Sequence, residues 1–161
     1  MNRPTLIIAL AVLILTPLAL ADSHTDDKTG FTIDFPSKWE LDQADAVVAN
    51  APDHLASMIV ISFKDVRDAD ALQRLDIDDV MGNQIKTIRP DAKVVSKKIN
   101  GLPAKLFTGT ANISNIKMPF VAAVVHDKGP AFVVFCFPAN NAHQQKMLAS
   151  INSIRGKSSG K

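Results

Sequence analysis

The sequence is poor in the residues on which common functional sites depend. It has one cysteine, one tryptophan, no tyrosine and four histidines among 161 residues, and Glu40 is its sole glutamate. A single cysteine excludes a disulfide scaffold, and a net charge of +2 disfavours a nucleic-acid-binding protein. Apolar residues make up 47% of the chain and charged residues 21%, so the sequence predicts a globular domain rather than a disordered chain.

The longest apolar run lies close to the N-terminus. Arg3 precedes an unbroken apolar segment from Leu6 to Leu15, and Pro17 then interrupts the pattern. A bilayer-spanning helix needs about 20 such residues, so a membrane anchor is the less favoured interpretation of this run. A short apolar segment behind a positive charge is typical of a secretory signal peptide.

A cleavage site follows the apolar run. Ala19 and Ala21 are the small residues that signal peptidase requires, which predicts a signal peptide over residues 1–21 and a mature chain that begins at Asp22. Because no cysteine lies near this site, a lipoprotein anchor is not expected. The predicted location is therefore the bacterial periplasm or the exterior, without a stable membrane anchor after cleavage.

Alternating and β-branched segments predict a sheet that is built of hairpins. Extended segments are expected at Phe31–Phe35, Ala44–Ala49, Ser57–Phe63, Ala92–Ile99, Leu102–Ile113, Met118–His126 and Ala131–Phe137. Asn100-Gly101 favours a type I′ turn, and Asp127-Lys128-Gly129 favours a three-residue hairpin loop. The segments Phe120–Val125 and Phe132–Phe137 are apolar throughout, so both faces of this sheet are expected to be covered.

Two helices are predicted to provide that cover. Asp65–Arg89 carries apolar residues at helical spacing, and Pro90 ends the segment. In the C-terminal segment, Asn141 is a candidate N-cap with Gln144 as its reciprocal partner, and Gly156 is a candidate C-cap. The expected fold class is α+β, with an antiparallel β-sheet covered by helices on both faces.

The chain resembles a known family over most of its predicted mature length. The resemblance rests on Gly30-Phe31-x-Ile33-x-Phe35-Pro36-x-x-Trp39, Asn100-Gly101-Leu102-Pro103-Ala104, the apolar hairpin 119–137 and Ile151-x-Ser153-Ile154. In these residues the sequence resembles the PsbP-like proteins and, among them, the bacterial DcrB-like secreted proteins. The resemblance implies an α/β/α sandwich over residues 31–156 and an accessory role without catalytic residues. The polar residues 22–30 and 157–161 are expected to be a flexible segment and a disordered tail.

Cys136 is the only candidate for thiol chemistry. A cysteine nucleophile needs a base such as His126 within hydrogen-bond reach. If the hairpin pairs so that Cys136 lies across from Phe120, His126 lies well away along the neighbouring strand. A buried, unreactive thiol is therefore expected.

Two charged sets have residue types that can form binding sites. Asp76-x-Asp78-Asp79 resembles the start of a calcium loop, but Met81 and Thr87 stand where an EF-hand has glycine and glutamate, so a solvated helix face is expected. A basic set leaves a surface for an anion or an acidic partner open, beside a structural role at a helix C-terminus. Its members are Lys86, Arg89, Lys93, Lys97, Lys98 and Lys105. Lys97 and Lys98 are expected on opposite faces of a strand.

The predicted mature N-terminus, Asp22-Ser23-His24, is a candidate chelator. Its free amine, two amides and an imidazole at the third position can hold Cu(II) or Ni(II) in a square plane. The alternative is that a histidine stands at this position by chance.

Motifs for catalysis are missing from the sequence. It contains no G-x-S-x-G, H-E-x-x-H, C-x-x-C or nucleotide-binding glycine motif, so no catalytic residue, cofactor or metal ligand is predicted. The expected function is that of an exported, non-catalytic accessory or binding protein of the bacterial periplasm. Its expected partner is a protein or a small ligand of the cell envelope, and not a nucleic acid. The alternatives are a hydrolase-type enzyme whose site assembles only in space, and Cu(II)/Ni(II) binding at the mature N-terminus.

Overall fold

The structure is a computed structural model that describes residues 22–43, 46–63, 85–113, 115–127 and 129–157. Nine strands and one helix lie in these ranges. The strands are β1 (Ser23–Thr25), β2 (Thr32–Asp34), β3 (Glu40–Gln43), β4 (Val47–Asn50), β5 (Ser57–Phe63), β6 (Ile85–Ile99), β7 (Leu102–Ile113), β8 (Ile116–His126) and β9 (Ala131–Phe137). The helix α1 spans Asn141–Ser153.

Seven of the strands form one antiparallel sheet in the order β3-β4-β5-β9-β8-β7-β6. The remaining two, β1 and β2, form a separate antiparallel pair. The apolar β9 lies at the centre of the larger sheet, and each of its seven residues is buried. The prediction that this segment is covered on both sides is therefore confirmed by its burial.

The predicted turn at Asn100-Gly101 is present. Ile99 pairs with Leu102, and Asn100 and Gly101 have φ values of 48° and 85°, as a type I′ turn requires. The Asn100 side chain also donates hydrogen bonds to the carbonyl oxygens of Asn152 and Ile154, at 3.0 and 2.9 Å. One asparagine thus shapes the β6–β7 turn and satisfies carbonyl groups at the C-terminal end of α1.

The second hairpin pairs one residue out of the expected register. His126 pairs with Ala131, so Val121 rather than Phe120 lies opposite Cys136. The connection is one residue longer than predicted, because the amide of Asp127 donates to the carbonyl oxygen of Pro130 at 3.0 Å. Proline lacks an N–H group and cannot donate the second bond of that pair.

The two faces of the sheet belong to two apolar clusters. On one face, side chains of the strands pack with residues of β2 and α1; among the members are Ile33, Met58, Phe132, Val134, Cys136, Met147 and Ile151. On the other face, a cluster centred on Phe120, Val124, Val133, Phe135 and Phe137 is likewise buried. Alternation along each strand explains this division, since neighbouring residues point to opposite sides.

The expected fold class, a sheet with helices on both faces, is wrong for the structure observed. The described residues form a β-rich fold with a single helix, α1, which lies on one face together with β1 and β2. Ile85–Arg89, expected as the end of the Asp65–Arg89 helix, belongs to the edge strand β6, which continues through Pro90. The rest of that predicted helix lies outside the described residues.

Pairing with β7 explains why Ile85–Pro90 is extended. Ile113, at the far end of β7, pairs with Ile85, so β6 continues as far as its partner does. The segment is rich in β-branched residues, which favour strands. Pro90 is tolerated because β6 is an edge strand, where a missing N–H group need not cost a ladder hydrogen bond.

The segment 22–30, expected to be flexible, contains the strand β1. The amide of Phe35 donates to the carbonyl oxygen of Asp22, and the amide of Asp26 donates to that of Phe31. Pairing with β2 therefore gives residues 23–25 of this polar segment an extended backbone, a long-range effect that its composition does not reveal. Among the described residues, no helix has the length and apolar character that crossing a membrane requires.

Candidate functional site

A cavity of about 450 Å³ opens beside the N-terminal end of α1. This volume lies within the range of small-molecule sites in proteins. The residues that line it are Asp91, Thr108, Gly109, Thr110, Pro119, Phe120, Val121, Pro138, Ala139, Asn140, Asn141 and Gln144. They come from β6, β7, β8, the segment that joins β9 to α1, and the first turn of α1, so the cavity depends on the register of three neighbouring strands.

Two prolines explain why the sheet opens at this point. The last pair of the β8–β9 ladder is Val121–Cys136, which places Pro119 and Pro138 opposite each other two positions further on. Hydrogen-bonded and non-hydrogen-bonded pairs alternate along an antiparallel ladder, and the bond from Asp127 to Pro130 marks one of the hydrogen-bonded pairs. Counting from it, positions 119 and 138 would form a hydrogen-bonded pair, in which each residue donates its N–H group to the other. Neither proline has an N–H group to donate. The ladder therefore stops, and β9 leaves the sheet before α1 begins.

The strand side of the cavity carries two hydroxyl groups and one carboxylate. Thr108 and Thr110 alternate along β7 and so lie on one face of the sheet. Between Pro90 and Val94 the register of β6 shifts, so three residues of β6 lie opposite Thr108 alone. In this irregular segment the carboxylate of Asp91 accepts a hydrogen bond from the Thr108 hydroxyl at 2.5 Å.

The helix side of the cavity carries three amide side chains. Asn140 is the N-cap of α1, and its Oδ1 accepts from the amide of His143 at 2.9 Å. The cap thus lies one residue before the predicted Asn141. Asn141 and Gln144 follow in the first turn, and both face the cavity. This capping bond leaves the Asn141 and Gln144 side chains available to a ligand.

Beyond the cavity, Asn112 continues the polar row of β7. It lies two residues after Thr110, and its Oδ1 is buried without a hydrogen-bond partner. Buried side-chain oxygens in folded proteins nearly always have a partner, so this polar row is unusual for the inner face of a sheet. The sequence contains the signal, because polar Thr108, Thr110 and Asn112 alternate with Phe107, Gly109 and Ala111. Threonine is common in ordinary strands, so this alternation did not by itself predict a binding site.

A histidine of the same helix meets an aspartate outside the cavity lining. Nε2 of His143 lies 3.1 Å from Oδ2 of Asp53, and the His143 ring meets the edge of Trp39. Nδ1 of His143 is buried without a partner, and the rest of the side chain is almost fully enclosed. The contact joins α1 to the loop after β4.

Cys136 lies far from His126, as predicted. It is buried at 1% exposure, and burial raises the pKa of its thiol well above the ordinary value. His126 pairs with Ala131, five positions along β9 from Cys136, a separation of roughly 17 Å at 3.4 Å per residue. The two residues do not form a catalytic pair.

The predicted chelator is part of a strand. The bonds of Phe35 to Asp22 and of Asp26 to Phe31 fix the alternation between β1 and β2, and they make His24–Ile33 a hydrogen-bonded pair. Chelation of Cu(II) would deprotonate the His24 amide and remove it from this ladder. The observed backbone therefore competes with the chelate instead of preparing it. Across the described ranges, no three histidine, cysteine or acidic side chains are grouped as metal ligands.

Of the two charged sets, only the basic one has members among the described residues. Asp76-x-Asp78-Asp79 and the positions compared with it up to Met81 lie outside the described residues. Lys93, Lys97 and Lys98 are exposed on β6. Nζ of Lys97 donates to Oδ1 of Asn152 in α1 at 2.8 Å, which places Lys97 on the helix side of the sheet and Lys98 on the opposite side.

Comparison with known proteins identifies the fold. No family model matches the sequence, and no curated protein sequence is significantly similar to it. The solution structure of cyanobacterial PsbP (CyanoP) from Synechocystis sp. PCC 6803 is similar with a TM-score of 0.59 and 12% identity, over 88% of this chain and 95% of that one. A crystal structure from Bacteroides thetaiotaomicron VPI-5482 gives a TM-score of 0.57 and 13% identity over 88% of this chain, which spans half of that protein. The chain has a PsbP-like fold, and these identities reach no further than the fold.

Proposed function

We propose that the protein is a non-catalytic binding protein whose cavity beside α1 holds a small, uncharged, hydroxyl-rich ligand of the saccharide class. The observation that carries this proposal is the composition of the cavity. Two hydroxyls, three amides and one carboxylate face an apolar base of Pro119, Val121 and Pro138. Amide groups donate to and accept from hydroxyl groups, a carboxylate accepts from them, and the apolar base suits the carbon-bound faces of a sugar ring.

The charges around the cavity narrow the ligand class. Asp91 is the sole charged residue among the described lining residues, and no lysine, arginine or histidine stands there. A negatively charged ligand would meet a carboxylate and no cation, so an uncharged ligand is favoured.

The same composition favours binding over catalysis. Hydrolysis of a glycosidic bond ordinarily uses two carboxyl groups, one as an acid and one as a base or nucleophile. The described lining offers Asp91 alone, and its hydroxyl groups have no histidine or lysine among the lining residues to activate them. The hydrolase alternative would need a second carboxylate or another base at this cavity.

We also propose that the protein is exported and acts in the bacterial periplasm, as a relative of the DcrB-like secreted proteins. The sequence of residues 1–21 supports export. Cleavage between Ala21 and Asp22 would keep the whole of β1 in the mature chain, together with the Asp22 carbonyl that accepts from Phe35. Mass spectrometry of the protein recovered from the periplasm is expected to show an N-terminus at Asp22, and recovery of the chain with its first 21 residues would contradict export by cleavage.

The ligand proposal is tested by NMR titration with N-acetylglucosamine, cellobiose and maltose. Chemical-shift changes are expected at the backbone amides of Gly109, Asn141 and Gln144 for at least one sugar. No signals of hydrolysis products should appear in the sugar spectrum over a day. Shifts confined to other regions, or no shift with any of the three, would overturn the proposal. New sugar signals from hydrolysis would support the enzyme alternative.

A further inference from the structure

The outer strand β6 has a long regular edge. Val94–Ile99 pairs without interruption with Leu102–Phe107 of β7, and the nearest shift of register lies before Val94. Six residues of extended chain measure roughly 20 Å. Among the described strands none lies beyond β6, so this length of backbone forms the edge of the sheet.

The hydrogen-bond alternation shows which backbone groups are open. Ile99 and Leu102 flank the type I′ turn and form a hydrogen-bonded pair. The backbone groups of Lys97 and Val95 therefore also point to β7. The N–H and C=O groups of the residues between them point away from the sheet, and these residues are Val94, Ser96 and Lys98. An added strand would find three donors and three acceptors at the spacing of a β-ladder.

The side chains of this edge are exposed on both faces of the sheet. Every residue from Lys93 to Lys98 is exposed. Val94 is 38% exposed and Val95 is 48% exposed, and as neighbours in a strand they point to opposite sides. Only four large apolar side chains are exposed among the described residues, and two of them are these adjacent valines. The edge therefore offers an apolar contact above and below an added strand.

The charge of the edge selects its partner. Lys93, Lys97 and Lys98 stand within this stretch, and no acidic residue lies between Lys93 and Ile99. Lysines on an edge strand oppose pairing with a second copy of the same edge, because like charges would meet across the ladder. The same lysines attract a segment that carries carboxylates.

The opposite edge of the sheet lacks these features. Strand β3 is four residues long, and its exposed side chains include Glu40 and Asp42. Its one large apolar side chain, Leu41, is partly buried in the core. A short, acidic edge without exposed apolar side chains offers little to an added strand.

We propose that the Val94–Ile99 edge of β6 binds an extended acidic segment of a partner protein, which adds to the sheet as an eighth strand. The backbone groups of Val94, Ser96 and Lys98 hydrogen-bond to the segment. Its carboxylates face the lysines, and its apolar side chains contact Val94 and Val95. This surface is separate from the cavity beside α1, so the proposal does not depend on the ligand held there.

The test uses synthetic peptides as probes. A seven-residue peptide of alternating glutamate and valine is compared with its lysine–valine counterpart and with an acidic peptide that carries a central proline. Hydrogen exchange by NMR is expected to slow at the amides of Val94, Ser96 and Lys98 with the acidic peptide alone. The amides of Val95 and Lys97, already bonded to β7, should change little. Equal binding of the lysine peptide, or no binding of the acidic one, would overturn the proposal.

Two sets of variants complete the test. Ser96→Pro removes one outward N–H group and should abolish peptide binding, whereas Ser96→Ala should keep it. Lys93→Glu combined with Lys98→Glu leaves the backbone intact and should weaken binding about tenfold, with a Kd that no longer rises with salt. Unchanged affinity in both Ser96→Pro and the double lysine variant would contradict strand addition. Sedimentation of the free protein is expected to show no association at this edge, and a dimer lost in Ser96→Pro would assign the edge to a second copy instead.

Discussion

The guanidinium group of Arg155 meets the carboxylate of Asp34 with two hydrogen bonds, at 2.9 and 3.0 Å. The backbone amide of Asp34 also donates a hydrogen bond to the hydroxyl of Ser153 at 2.8 Å. The residues after α1 are thereby joined to β2, which itself pairs with the N-terminal strand β1. This contact connects the two ends of the described chain.

The first prediction concerns the pH dependence of this contact. The hydrogen bond from Arg155 is the main reason why the pKa of Asp34 lies below its ordinary value. A lowered pKa in the folded state adds stability above the unfolded pKa of about 3.9, and that stability is lost as the pH falls through the folded pKa. Both side chains are partly solvated, so the expected contribution is about 0.5–1 kcal/mol at neutral pH.

Urea unfolding of Arg155→Ala between pH 7 and pH 2.5 measures this contribution. The variant should be less stable at neutral pH and should converge with the wild type at the acidic end of the range. Arg155→Lys keeps the charge without the paired geometry and should lie between the two. A difference between Arg155→Ala and wild type that stays constant at all pH values would contradict the assignment to Asp34.

The second prediction concerns the two roles of Asn100. Asn100→Gly keeps the left-handed turn and loses both hydrogen bonds to the end of α1, so it should cost about 1–2 kcal/mol of unfolding free energy. Asn100→Asp should cost more, because a carboxylate would face two carbonyl oxygens. Thermal unfolding of both variants ranks these effects, and an Asn100→Asp protein as stable as wild type would refute the role of the side-chain amide.

A matched substitution separates the turn from the hydrogen bonds. A Cβ atom at Gly101 would meet nothing within 4 Å, so Gly101→Ala tests the backbone conformation alone. It should cost about 1–2 kcal/mol, the penalty for a left-handed residue with a side chain.

The third prediction concerns the thiol of Cys136. Burial raises its pKa, so the native protein should not react with a thiol reagent at mildly alkaline pH, and it should react at once in guanidinium chloride. Cys136→Ser should cost about 1–3 kcal/mol by burying a hydroxyl group without a partner, whereas Cys136→Ala should be milder. Rapid labelling of the native protein would show that the thiol is accessible.

The fourth prediction concerns the two prolines that end the β8–β9 ladder. Replacing Pro119 and Pro138 together by alanine restores two N–H groups and should add one hydrogen-bonded pair to the sheet. Two hydrogen bonds gain about 1 kcal/mol each, and the loss of two rigid prolines costs about as much, so overall stability should hardly change. The readout is therefore local: slow exchange of the amide at position 138 and a cross-strand contact to position 119. Rapid exchange of the amide at position 138 would show that the two prolines are not the reason why the β8–β9 ladder stops.

The local signals in the sequence predicted much of the sheet. Asn100-Gly101 predicted one hairpin correctly because this dipeptide favours the type I′ turn, which joins two strands in two residues, and Ser57–Phe63 matches β5 at both ends. The predicted register of the second hairpin is wrong by one residue. Pro130 has no N–H group to donate to Asp127, and the connection is one residue longer than the predicted three-residue loop. Turn chemistry thus specified the topology better than the register.

Long-range pairing accounts for what the sequence did not reveal. Ile85 and Ile88 have a spacing that suits a helix, but both pair with residues of β7 and therefore lie in strand β6. Ser23–Thr25 is polar and short, and it becomes a strand only because β2 lies beside it. A local pattern cannot report a partner that is distant in sequence.

The candidate cavity likewise depends on pairing between residues that are distant in sequence. Asp91, Pro119 and Gln144 are separated in sequence and meet only through the register of β6, β7 and β8. The one local signal was the alternation of Thr108, Thr110 and Asn112, which places polar side chains where an inner strand usually carries apolar ones.

Two neighbouring glutamines of α1 provide the most direct test of the binding function. Gln144 faces the cavity, whereas Gln145 is exposed to solvent outside it. The affinity of both alanine variants for the sugar that binds wild type is measured by the same NMR titration. Gln144→Ala should weaken binding about three- to tenfold, the value of a lost hydrogen bond, and Gln145→Ala should match wild type. Equal affinity of the two variants would contradict a ligand site in the cavity.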